Sequence, residues 1–254
     1  VYGEFPQQAA PILIVAIGKR NEPVPWAHVL RGGGVAAVFY IDETRPIGEF
    51  TEDWTATHEL SHMLLPYVSS RDRWFSEGLA SYYQNVLRAR DGRLTELQAW
   101  RKLHAGFERG KRAVNGDSLA RATRGGWGAT MRVYWSGATI MLKADALLRA
   151  RSGGRQSLDS ALRGLQACCF GEGAYWSARE LFEELDRQTN LDVFMTLYDA
   201  HVMDSDFPSV DETFAQLGVV VQPGEVRLDQ EAPWGDIRLA IMGGREAASV
   251  TSAP

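Results

Sequence analysis

Positive charge is in short supply: 27 Lys and Arg face 32 Asp and Glu across 254 residues, for a net charge of −5. A chain so balanced offers no basic surface for the phosphates of a nucleic acid. Long apolar runs are missing as well. The longest aliphatic stretch, Ile12 to Ile17, is far below the roughly 20 residues that cross a bilayer, so no membrane span is expected. Cysteine is nearly absent. The two present, Cys168 and Cys169, are adjacent, a spacing that suits neither a loop-closing disulfide nor a zinc knuckle, and they read as small apolar residues. There is no internal repeat and no low-complexity linker. An initiating methionine is also missing: Val1 is what a trimmed or processed chain would show, and a removed leader favours a periplasmic or secreted location.

The 45% apolar content is ample for a packed core in one large or two small domains. The rest of the chain is organised around Thr57-His58-Glu59-Leu60-Ser61-His62. On an α-helix, residues four apart lie almost above one another, about 6 Å along the axis. His58 and His62 therefore project from one face and can share a metal ion, while Glu59 reaches a water at that ion without being a ligand. Thr51 reads as the N-cap of this helix, Glu52 and Asp53 as acids in its first turn, and Pro66 as its stop after Leu65.

Upstream, Ile12–Ile17 reads as a buried strand and Val35–Ile41 as a second. The stretch Gly32-x-Gly34-x-x-Ala37 imitates a dinucleotide-binding turn, but that motif needs a strand before it and a helix after it, the reverse of the order here. Downstream, Trp74 to Arg90 forms a helix with Gly92 beyond its end. It places Glu77 14 residues after His62, so that folding back delivers a carboxylate to complete a His-His-Glu site. Helices are expected near 95–109, 131–151, 157–166, 177–188, 191–203 and 210–217, with capping-box spacings at Thr95…Gln98, Ser177…Glu180 and Ser209…Glu212. The helix at 131–151 is apolar on nearly every side and belongs at the centre of its lobe. Residues 110–130 read as a long loop near the site, 219–221 and 226–228 as short strands, and the last ten residues as a poorly ordered tail.

These residues carry a resemblance. The sequence resembles the gluzincin metallopeptidases, related to aminopeptidase N and closest to the glycyl aminopeptidase family. His58-Glu59-Leu60-Ser61-His62 is similar to the zinc helix, Trp74-Phe75-Ser76-Glu77-Gly78-Leu79-Ala80-Ser81-Tyr82 to the W-x-x-E-G-[FL]-x-[ST]-Y segment, and Tyr134-Trp135-Ser136-Gly137 to the later Y-x-x-G element. Residues 151–159 resemble the family's helical domain. The resemblance implies an α+β, thermolysin-like catalytic domain with a small β-containing N-terminal lobe (1–92) bearing the zinc helices and a mostly α-helical lobe (93–254). It further implies one Zn²⁺ per chain on His58, His62 and Glu77, Glu59 as general base, Tyr134 as oxyanion donor, and a peptide or protein substrate. From the residues alone, Tyr134 is a packed aromatic at a helix start.

The resemblance also places a substrate strand at Gly33, Gly34, Val35 and Ala36, with an extended peptide pairing along Val35–Tyr40. The acid with which the family's aminopeptidases hold a free amine has no counterpart from Gly33 to Ala37, which leaves exo- and endopeptidase open. The upstream β domain and PDZ domain of the family are not evident, as expected of a fragment or a minimal member. Two rivals stand beside this reading: a zinc hydrolase of a non-peptide substrate on the same scaffold, and a non-catalytic zinc-containing binding module. A purely structural zinc site has no use for Glu59.

Overall fold

The computed structural model describes residues 1–3, 10–31, 34–171 and 175–243. Three strands come first in the chain: β1 (Ile12–Ala16), β2 (Trp26–Arg31) and β3 (Val35–Ile41). They form one sheet in the order β1-β3-β2, with β1 parallel and β2 antiparallel to β3. β2 and β3 are a hairpin, Arg31 facing Val35 and Trp26 facing Tyr40. Gly34, just before β3, takes φ +140°, a conformation glycine adopts at little cost. Gly32 and Gly33 lie outside the described residues, as does the expected tail at 245–254.

Two strand expectations are corrected. All five residues of β1 are exposed, so its unbroken aliphatic run marks an edge strand and not a buried one. β2 was not anticipated, because its Trp-Ala-His-Val-Leu-Arg sequence follows two prolines and alternates poorly.

The helices follow as α1 (Ile47–Glu52), α2 (Thr55–Ser61), α3 (Arg73–Arg90), α4 (Glu96–Arg112) and α5 (Leu119–Thr123). Then come α6 (Thr130–Ser152), α7 (Leu158–Cys168), α8 (Ala178–Thr189), α9 (Phe194–His201) and α10 (Asp211–Leu217). The hairpin β4 (Val219–Gln222) and β5 (Glu225–Leu228) precedes α11 (Gly235–Gly243). The described chain is thus mixed α and β, mostly helical with few strands, and none of its helices is long and apolar enough to cross a membrane.

The motif helix is shorter than its sequence suggests. Thr51 lies inside α1, its hydroxyl turned back to the Gly48 carbonyl, and the Asp53 carboxylate instead accepts the Thr55 N–H at the start of α2. Regular α geometry ends at Ser61, and His62–Leu64 form a 3₁₀ turn. The Arg31 guanidinium donates to the carbonyls of His62, which also accepts the Leu65 N–H, and of Leu65. The expected loop at 110–130 instead holds the end of α4, all of α5 and a 3₁₀ turn. The boxes at Thr95/Gln98 and Ser177/Glu180 form; Ser209 instead accepts from the N–H of Asp211.

α6 lies at the centre of the main core, as its apolar circumference predicts: Ala138, Ile140, Met141, Leu142 and Leu148 are fully buried. α3 crosses it at two glycines. A Cβ on Gly137 would coincide with the Trp74 carbonyl and lie 2.7 Å from Gly78 Cα, and one on Gly78 would lie 2.8 Å from the Ala138 nitrogen. The backbones touch there, a closeness any side chain forbids. A smaller core of Val24, Ala37, Phe39 and Met63 sits between the sheet and α2. The cysteine reading is also corrected. Cys168 and Cys169 are joined to each other at the end of α7, Sγ–Sγ 2.00 Å, and Cys169 is buried in the main core.

Candidate active site

Three helices converge on a cleft of about 730 Å³ whose far wall is β2. α2 and its 3₁₀ extension contribute His58, Glu59 and His62, α3 contributes Glu77, and α6 contributes Tyr134. The ring nitrogens of His58 and His62 and a Glu77 carboxylate oxygen all lie within 4.8 Å of one another, a group that could hold a metal ion. Glu77 Oε2 is 3.3 Å from His58 Nε2 and 3.5 Å from His62 Nε2. The imidazole planes are nearly perpendicular, with centroids 5.1 Å apart, as one helical turn between them dictates. The Tyr134 ring stacks over His58 at 6.0 Å, and Trp54 meets the same imidazole edge-on at 5.5 Å.

Burial and neighbouring charge set the protonation preferences. His58 is buried, which works against its charged form, but hydrogen bonding to Glu77 and the charges of Glu77 and Glu59 outweigh this and lift it above the ordinary histidine range. His62 is pushed down to about 4, first by burial and then by the charges of His58 and Arg31, against the pull of Glu77. Burial opposes ionisation of Glu77 too, yet its contacts with both histidines and Tyr134 hold it below the usual carboxylate range. Glu59 rises to about 7, chiefly through burial, with His58 opposing and Glu77 adding to the shift. Tyr134 is raised by burial and by the carboxylate of Glu77, so its phenol keeps its proton.

Gln84 and Arg31 lie outside the sequence motifs yet belong to the site. Gln84, buried and seven residues after Glu77 on the same face of α3, sets its Oε1 2.8 Å from His58 Nδ1. An N–H donated there leaves Nε2 as the lone-pair nitrogen, turned toward Glu77. The two-turn spacing was the available signal. Replacing Gln84 with Leu should weaken metal affinity about 10- to 100-fold, measured by competition with a chelator, because the imidazole loses its anchor. An unchanged affinity would remove Gln84 from this role. Arg31 sits on β2, the strand that went unread, and ties it to the 3₁₀ turn at His62.

β3 is hydrogen-bonded to β2 from Val35 to Tyr40 and to β1 from Ala37 to Ile41. Gly34, Val35 and Ala36 do not line the cleft, and Gly33 lies outside the described residues. Trp26 to Arg31 of β2 line it, and β2 is an end strand of its sheet among the described residues.

No family model matches the chain, and no curated protein matches it. Among solved structures it is similar to an aminopeptidase N family protein from Idiomarina loihiensis, with a TM-score of 0.64 and 18% sequence identity over 87% of this chain and 43% of that one. The chain therefore spans less than half the length of that protein. At such low identity the likeness is one of fold. The chain is similar in fold to that aminopeptidase N family protein.

Proposed function

We propose that the chain is the catalytic unit of a zinc-dependent peptidase of the gluzincin class. In this reading residues 1–92 form the lobe with the motif helices, and residues 93–254 complete the site as in thermolysin-like domains. The observation that carries it is the meeting of His58, His62 and Glu77 in one group with Glu59 and Tyr134 at the same cleft. Two imidazoles and a carboxylate are a donor set that zinc favours and that keeps a position open for water and substrate. One zinc ion held by these three residues would supply Lewis-acid polarisation of a carbonyl and would lower the pKa of a water toward about 7.

The chain's own residues do the rest. Glu59, buried beside the group but outside it, takes the proton of the attacking water and passes it to the leaving amine. Tyr134, kept protonated by its surroundings, donates to the carbonyl oxygen as charge develops there. An extended peptide lies along β2, the strand that lines the cleft. β2 itself carries no acid while Glu22 lines the same cleft, so the reading is hydrolysis of peptide bonds with exo- and endopeptidase action both open. A solely structural metal site is disfavoured by the buried carboxylate of Glu59, which such a site does not need.

Tyr134→Phe tests the oxyanion assignment. The substitution keeps the ring over His58 and removes only the hydroxyl, so kcat should fall roughly 10²- to 10³-fold with metal content intact. An unchanged kcat would return Tyr134 to a packing role.

A further inference from the structure

A buried guanidinium N–H needs an acceptor, and one without a protein partner on the wall of a cleft points to a ligand. Arg73 is in that position. It is the first residue of α3, four before Glu77, so the two side chains leave one face of the helix, and both line the cleft. That spacing suits an ion pair between them, yet none forms, and the Glu77 carboxylate is turned instead to His58 and His62. The neighbouring carboxylate of Asp72 accepts the Ala178 N–H. Among the described residues the Arg73 guanidinium makes one hydrogen bond, from Nη2 to the Gly125 carbonyl at 3.3 Å, while Nε is buried without a partner. Helix stability does not account for the residue either. The first turn of α3 carries no acid, and a cation there opposes the helix dipole. The other arginine of the cleft, Arg31, is already held by the carbonyls of His62 and Leu65. The Arg73 charge acts on the Tyr134 phenol, itself a neighbour of Glu77, so guanidinium and phenol share one region of the cleft.

We propose that Arg73 is a carboxylate anchor, holding an anionic group of the substrate one helical turn from the candidate metal group. This rests on the peptidase reading and deepens it by naming the substrate group that is held. A guanidinium presents a planar fork of N–H donors that matches a carboxylate, and such a pair fixes orientation as well as affinity. A peptide supplies that chemistry from two sources: its terminal α-carboxylate, or an Asp or Glu side chain near the cut. Either gives Nε the acceptor that the protein does not. A neutral amide of the same shape has one acceptor oxygen where the fork engages two, and it carries no charge. Arg73 is thus a specificity-determining residue and takes no part in the proton transfers, which stay with Glu59 and Tyr134.

Two series of short alanine-based peptides test it on the zinc-loaded native chain. One compares free with amidated carboxyl termini; the other, amidated throughout, compares Asp with Asn at each position in turn. In at least one series kcat/KM of the acid should exceed that of its amide about tenfold or more, and that series identifies the source of the carboxylate. In Arg73→Met the ratio should collapse toward one. Arg73→Lys should restore only part of it, because a point charge keeps the attraction and loses the fork. A merely structural role would lower both members of a pair alike and leave the ratio standing. Equal kcat/KM for acid and amide in both series, or a ratio unmoved by Arg73→Met, overturns the anchor while hydrolysis stands. Binding to the zinc-loaded Glu59→Gln chain separates the two readings. If no peptide is cut, tighter and Arg73-dependent binding of the acids keeps the anchor and sinks the hydrolytic reading. Equal binding of acid and amide sinks both. Should Arg73→Met fail to fold, Arg73→Lys decides: a ratio as large as the native one overturns the proposal.

Discussion

Glu59→Gln lowers kcat by roughly 10²- to 10⁴-fold and leaves the metal in place; that is the expected result of the most damaging single change at the site. The amide matches the carboxylate in shape, so the packing around α2 is undisturbed. It cannot accept a proton, however, and the attacking water then has no base within reach. The loss corresponds to about 3 to 5 kcal/mol of transition-state stabilisation. Glu59 lies outside the group of His58, His62 and Glu77, so metal content should stay that of the native chain. Burial already holds this carboxyl near 7, where a group trades protons with water and amine at small cost. Metal analysis and single-turnover kinetics on the same preparation check the point. A variant that retains full metal and full turnover removes Glu59 from the mechanism.

Gly137→Ala carries the second large effect, and it acts through the backbone. At the crossing of α3 and α6 the added methyl would meet the Trp74 carbonyl and lie 2.7 Å from Gly78 Cα. Neither is the far end of a flexible side chain, so the helices must separate. Overpacking of this kind costs about 3 kcal/mol, which lowers Tm by roughly 6 to 12 °C in a chain of this size. The same separation lifts Tyr134, one turn before Gly137, away from His58 and Glu77, so the folded fraction should also lose kcat. Gly48→Ala serves as the control, because nothing lies within 4 Å of its added methyl. A Tm for Gly137→Ala equal to that of the control would show that the crossing tolerates a side chain.

The parts of the site that were legible in the sequence are those fixed by helical spacing. His58 and His62, four apart, and Glu77, on the next helix after a short connection, meet because a regular helix leaves few other arrangements. Tyr134 was legible only through resemblance, since a tyrosine at a helix start says nothing about what crosses it. What brings it to the site is the glycine pair Gly78 and Gly137, and a contact between backbones leaves no pattern in either segment alone. The cleft wall was less legible, because apolar composition does not fix a strand's place: aliphatic β1 lies at an edge and β3 in the middle. The wall itself is Trp26–Arg31, whose mixed composition suits a strand with one face on a cleft. Cys168 and Cys169 escaped because spacing arguments concern loops closed by distant cysteines, and these two close on each other.

The measurement that bears most directly on the central claim is mass spectrometry of peptide cleavage by one preparation in three states. These are metal-stripped, reloaded with one equivalent of zinc, and reloaded Glu59→Gln. Each is offered matched peptides with free and with acetylated amino termini. The account predicts cleavage by the reloaded native chain alone, and internal cuts indifferent to acetylation would make the chain an endopeptidase. Cuts confined to single residues from free termini would make the chain an aminopeptidase with its amine contact outside β2. Full zinc occupancy with no cleavage of either set, or equal cleavage by the stripped chain, contradicts the account.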